Sequence, residues 1–84
     1  MSSDCNISLT VLSPEATILE TKVCKVSLPG TKGRFMILKG HAPIISSLDE
    51  GEVVFESVDG VGKVYIVSGF VEAASDKVTV CAEI

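Results

Sequence analysis

The chain has no Trp, one Tyr and three Phe among its 84 residues. So few flat rings argue against stacking platforms for bases or sugars. Basic residues are also scarce: seven Lys and Arg stand against eleven Asp and Glu, for a net charge of −4. A nucleic-acid partner needs cations to displace phosphate counterions, so that class is disfavoured. No uncharged run is long enough for a membrane-spanning helix. No basic start followed by an apolar stretch marks a signal peptide. The length admits one domain, residues 1–84. Such a domain exposes about 4,800 Å² when folded and buries about 60% of its unfolded surface. That allows one thin core and little depth for a catalytic cleft. The apolar fraction of 46% excludes a disordered chain.

Cysteine is limited to Cys5, Cys24 and Cys81, an odd number with no two close in sequence. The spacing is neither that of a zinc site nor that of a thioredoxin-like motif. The simplest expectation is three reduced thiols. Cys24 and Cys81 lie in apolar stretches and are expected in the core. Cys5 lies near the terminus and is expected to be the accessible one.

What the chain has in abundance is β-branched side chains: twelve Val, seven Ile and five Thr, against six Leu and five Ala. That is the composition of strands, and period-2 alternation recurs where a helical stripe does not. Asn6 to Leu12 reads as a strand with Ile7, Leu9 and Val11 on one face. Ser13-Pro14-Glu15 breaks it. Ala16 to Glu20 follows as an edge piece. Lys22 to Leu28 is predicted as one strand with Cys24, Val26 and Leu28 inward. Pro29 to Gly33 reads as a turn. Phe35 to Leu38 is a short apolar strand, and Lys39 to Pro43 is a loop. Ile44 to Leu48, Glu52 to Val58, Lys63 to Ser68, Phe70 to Ala73 and Lys77 to Cys81 complete the set. Asp49-Glu50-Gly51, Asp59 to Gly62 and Ala74-Ser75-Asp76 turn the chain between them. Gly69 marks a bulge or a close backbone approach. The predicted fold is all-β: a small antiparallel β-sandwich or flattened barrel of about eight to ten short strands.

Little in the chain could carry catalysis. His41 is the only histidine, and no motif supplies it with a nucleophile. One His and dispersed thiols do not make a metal site. Asp49, Glu50 and Glu52 are close in sequence, but carboxylates on a turn are ordinarily just solvated. Gly60-Val61-Gly62 lacks the helix and the Lys-Ser/Thr pair of a phosphate loop, so the hairpin reading wins. Thr31-Lys32-Gly33-Arg34 is the one local positive cluster, either a solvated loop or an interaction loop.

A set of segments, in order and at fixed separations, carries a resemblance. These are Ser13-Pro14-Glu15, Val26 to Gly33, Ile37 to Ile45 with its Gly40-His41-Ala42-Pro43 core, Gly51-Glu52-Val53, Ser68 to Glu72 and Val78-Thr79-Val80. Together they resemble the epsilon subunit of F-type ATP synthases, over about Ile7 to Ala82. The resemblance implies a ten-stranded β-sandwich at the foot of the central stalk. It implies two partners, the gamma subunit and the membrane-embedded c-ring, with no catalytic residue and no cofactor. By resemblance, His41, Ala42 and Pro43 lie near gamma, while Lys32, Gly33 and Arg34 face the c-ring. The implied location is peripheral, on the cytoplasmic side of a bacterial plasma membrane.

Three residues depart from the family pattern. Met36 stands where Gly is usual, so this strand is expected to be less closely pinched. Lys39 stands where Pro is usual, which adds charge and loosens the loop. Arg34 stands where some relatives are acidic, so a charge pairing with c-ring loops does not carry over. The family commonly continues into a two-helix C-terminal domain, whereas this sequence ends at Ile84. The expectation is a subunit that assembles the rotor and transmits torque without the helical brake or ATP sensing. An unrelated small β-sandwich adaptor or ligand-binding module is the alternative reading.

Overall fold

A computed structural model describes residues 5–84. Nine strands follow one another with short connections. They are β1 (Ile7–Leu12), β2 (Thr17–Val23), β3 (Lys25–Gly30), β4 (Gly33–Leu38), β5 (Ile44–Leu48), β6 (Gly51–Ser57), β7 (Gly60–Ile66), β8 (Ser68–Ala74) and β9 (Lys77–Glu83). Their hydrogen-bonded order is β2-β1-β9-β8-β5-β3-β6-β7, with β4 pairing on β3. The link between β5 and β3 is a single residue pair, Gly30 with Leu48. The sheet folds over there, and the two lobes face each other as the layers of a sandwich. The all-β expectation is met: the described residues hold nine strands, within the expected eight to ten and one fewer than the ten that the resemblance implies.

Alternation along the strands builds the core. Ile7, Leu9 and Val11 of β1 point inward, as do Val71 and Ala73 of β8 and Val78, Val80 and Ala82 of β9. From the other lobe come Val26, Leu28, Ile37, Val53 and Ile66. Each fully buried aliphatic side chain contributes about 1.5–3 kcal/mol relative to exposure, against the conformational entropy of ordering the chain. The accessible surface of 4895 Å² is close to the size expected from mass alone.

Several sequence expectations need correction. The pairing is not antiparallel throughout, because β1 and β9 run parallel, Leu9 beside Val78 and Val11 beside Val80. The first and last strands thus lie side by side inside their lobe, with β2 at its edge. The stretch Lys22 to Leu28 is not one strand. Val23 and Val26 are both fully buried, an odd spacing that no straight strand can hold on one face. The chain bends at Cys24, whose N–H donates to the Glu56 carbonyl oxygen at 2.6 Å, and re-phases as it passes between lobes. The edge piece begins at Thr17 and runs on to Val23. Pro29 and Gly30 belong to β3, and only Thr31-Lys32 form the turn. Pro29 sits where β3 leaves β6, after Ser27, and before it meets β5, at Gly30. A missing N–H costs no ladder bond on that side.

The cysteines also differ from expectation. Cys5 and Cys24 are joined as a disulfide across a sequence separation of 19. Neither is fully buried, and the pair ties the start of the described chain to the β2–β3 bend. Cys81 is the free thiol among the described residues and is half-buried rather than in the core. It occupies the outward phase of β9, between inward Val80 and Ala82.

Candidate functional site

The two loops of interest sit at opposite ends of one strand. Thr31-Lys32 lead into β4, and Lys39 to Pro43 leave it. At about 3.3 Å per residue, the six residues of β4 hold these loops roughly 17 Å apart. His41, Ala42 and Pro43 therefore cluster at one end, Lys32, Gly33 and Arg34 at the other, and the structure does not bring the two sets together.

At the Lys32 end, a two-residue turn joins Gly30 to Gly33, which pair across the hairpin. Gly33 has φ 126°, a conformation that favours glycine. The Thr31 N–H donates to the Ser47 carbonyl oxygen at 3.2 Å, and the Asp49 N–H donates to that of Pro29 at 2.8 Å. These bonds tie the hairpin to the end of β5. Arg34 folds back over the sheet. Its Nε donates to Ser27 Oγ at 2.9 Å, and its Nη2 donates to the Glu52 carbonyl oxygen. It thereby bridges β4, β3 and β6. Lys32 is exposed at the tip and makes no hydrogen bond or ion pair among the described residues.

At the other end, Gly40 turns the chain with φ 80°, and the His41 N–H donates back to the Leu38 carbonyl oxygen at 3.1 Å. His41 Nδ1 donates to the carbonyl oxygen of its neighbour Ala42 at 2.7 Å. Among the described residues, no side chain hydrogen-bonds the ring. Ala42 and Pro43 are exposed. The loop leans on the β8–β9 turn, Ser75-Asp76, whose φ values of 52° and 60° are those of a type I′ turn. Asp76 Oδ1 accepts from the Gly40 N–H at 2.9 Å, and its Oδ2 faces Lys39 Nζ at 3.5 Å. The Gly40 N–H holds the Asp76 carboxyl below its ordinary value; partial burial opposes this, and Lys39 adds to it. Lys39, expected to loosen the loop, is thus engaged in holding it.

Of the remaining sequence candidates, Glu50 and Glu52 come together at Tyr65. Glu50 accepts a hydrogen bond from the Tyr65 hydroxyl, and Glu52 lies opposite Tyr65 on the paired strand. Gly60-Val61-Gly62 opens β7, as the hairpin reading requires, with Phe55 directly across from Gly62. No cluster of three or more potential metal ligands occurs among the described residues.

One surface was not anticipated. On the outer face of the first lobe, Leu12 lies beside Cys81, Cys81 beside Phe70, and Phe70 beside Ser47. Phe70 is half exposed, and nearby Ile45 is 75% exposed. The signal was present in the alternation: Val71 and Ala73 point inward, so Phe70 must point out.

Comparison with known proteins bears on this arrangement. Residues 6–84 match the family described as ATP synthase, Delta/Epsilon chain, beta-sandwich domain. The ATP synthase epsilon chain of Desulfatibacillum aliphaticivorans is 40% identical over 79 residues, covering 93% of this chain and 56% of that protein. That of Endomicrobium trichonymphae is 37% identical over 73 residues, covering 87% of this chain and 53% of that protein. The chain therefore spans little more than half the length of these relatives. A chain in the cryo-EM structure of the Euglena gracilis mitochondrial ATP synthase (OSCP/F1/c-ring) superposes with a TM-score of 0.86 at 21% identity, over 98% of this chain and 53% of that one. One in the Tetrahymena thermophila mitochondrial ATP synthase central stalk and c-ring gives 0.76 at 12%, over 99% and 67%. At such identities the likeness speaks for the fold. With the nine-stranded sandwich and a family match over nearly all described residues, the chain belongs to the ATP synthase delta/epsilon chain β-sandwich family.

Proposed function

We propose that this chain is the sandwich portion of a non-catalytic central-stalk subunit of a rotary ATP synthase, linking gamma to the c-ring. The observation that carries this reading is the placement of two distinct loops at opposite ends of the short, hydrogen-bonded strand β4. A coupling element needs two separated contact surfaces on a body stiff enough to pass force between them. The ladder from β4 through β3 to β6 and β7 supplies such a body. In this reading His41, Ala42 and Pro43 meet gamma, and the Lys32 hairpin meets the c-ring. The subunit sits peripherally on the cytoplasmic side of a bacterial plasma membrane, held there by the complex. The chemistry of ATP lies elsewhere in the complex.

The test is co-purification from membranes of the source organism. The tagged chain is expected to retain both gamma and the c-ring. Recovery of neither, with the protein folded, would favour an unrelated β-sandwich adaptor.

A further inference from the structure

We propose that Asp76 is a positioning residue: its carboxylate fixes the conformation in which residues 41–43 are offered to the partner. The claim rests on the reading that this loop meets gamma. Three observations carry it.

Asp76 is a side chain on the β8–β9 turn that bonds the backbone of the loop crossing from β4 to β5. The Gly40 N–H donates to Oδ1 at 2.9 Å, across 36 positions of sequence. Lys39 Nζ, next to it, approaches Oδ2 at 3.5 Å. Both carboxylate oxygens are therefore spent on two consecutive residues immediately before His41.

The turn that carries Asp76 is itself held. Ser75 and Asp76 both have positive φ, as a two-residue type I′ hairpin requires, and Ala74 pairs with Lys77 across it. The Asp76 carbonyl oxygen accepts from the Ser8 N–H at 2.9 Å, which anchors the turn to β1. The carboxylate thus projects from a fixed base.

Beneath the clasp, Ile7, Ile37, Ala73 and Val78 meet His41 around a crevice of only about 10 Å³, too small for more than a single water. His41 rests against the sandwich with no cavity beneath it to sink into, while residues 39–43 stay exposed on their outer side.

The loop is thus restrained from outside, through the hydrogen bond and ion pair with Asp76.

The test compares Asp76→Gly, Asp76→Asn and His41→Ala in the 84-residue chain. Glycine suits the positive φ, so it removes the carboxylate without straining the turn. Asparagine keeps an oxygen for the Gly40 N–H. Two quantities are measured: hydrogen exchange of the Gly40 amide, and affinity for isolated gamma. Asp76→Gly should accelerate Gly40 exchange and weaken gamma binding by roughly three- to tenfold, the worth of one hydrogen bond. Asp76→Asn should restore most of both. In the His41→Ala background, Asp76→Gly should add little further loss, because the two act through one loop. Unchanged Gly40 exchange in Asp76→Gly overturns the clasp. Unchanged gamma affinity in Asp76→Gly, with His41→Ala impaired, overturns the positioning role. If His41→Ala itself binds gamma normally, the interface reading falls and the positioning role with it, whatever Gly40 exchange shows.

Discussion

Gly69 of β8 lies opposite Ala82 of β9, so close that a β-carbon at position 69 would fall 2.8 Å from the Ala82 Cα and collide with the Cys81 carbonyl oxygen. Both obstacles are backbone, which cannot swing aside as a flexible side chain can. Gly69 is also paired on its other side with Leu48, next to the point where the sheet folds over. Gly69→Ala should therefore destabilise the fold by about 1–3 kcal/mol, the usual cost of overpacking. Urea unfolding should show a lower midpoint with an unchanged slope. An unaltered midpoint would mean that β8 and β9 separate readily at that point.

The Cys5–Cys24 bond closes a loop of the size for which a disulfide contributes about 3 kcal/mol, mainly by restricting the unfolded chain. For a domain of this size, reduction should lower the melting midpoint by roughly 10 °C or more. Cys5→Ser should show the same loss and no further response to reductant. Thiol titration of the unfolded, unreduced chain should find Cys81 alone, and all three cysteines after reduction. A melting curve indifferent to reductant would contradict a structural role for the bond.

Much of the fold could be read from alternation, because Ile7, Leu9 and Val11, or Val78 and Val80, leave only one face apolar enough to bury. The slip at Cys24 could not. Cys24, Val26 and Leu28 form an unbroken apolar phase that hides the burial of Val23, and only the far lobe decides where the bend falls. The partnership of Cys5 with Cys24 is likewise a long-range fact, and thiol counts and spacings do not contain it. Gly69 reads in sequence as a bulge or a close backbone approach, and the structure has the second. Arg34 and Asp76 were legible as charges near turns, but not as side chains returning to Ser27 or reaching Gly40. Their targets lie 7 and 36 residues away.

The Asp76 carboxyl is held below its ordinary value of 3.8, first by the Gly40 N–H and then by Lys39. A depressed carboxyl contributes stability above its unfolded value and loses it as pH falls through the lower folded value. The difference in stability between the wild type and Asp76→Asn should thus be flat from about pH 5 to about pH 8 and should shrink below about pH 4. His41 and Lys77, which line the same crevice, and Lys39, which faces the carboxylate, are present in both proteins, so the difference isolates the carboxylate. A difference that changes between pH 6 and 8 would point to some other group.

Lys32 and Arg34 form one positive cluster in sequence, yet their surroundings differ. Arg34 reaches Ser27 and the Glu52 carbonyl oxygen, so its charge and fork are committed within the sheet. Lys32 stands at the hairpin tip with nothing engaged. Arg34→Ala should cost about 1 kcal/mol of stability, through lost hydrogen bonds between strands. Lys32→Glu should leave stability within about 0.5 kcal/mol, as surface changes do. If the hairpin meets the c-ring, the coupling effects should be reversed. Lys32→Glu should reduce ATP-driven proton pumping in reassembled complexes, and more so at low ionic strength, where an exposed charge is least screened. Arg34→Gln should leave pumping close to normal once the complex is formed. Pumping that is normal in Lys32→Glu at every salt concentration would move the c-ring contact away from this tip.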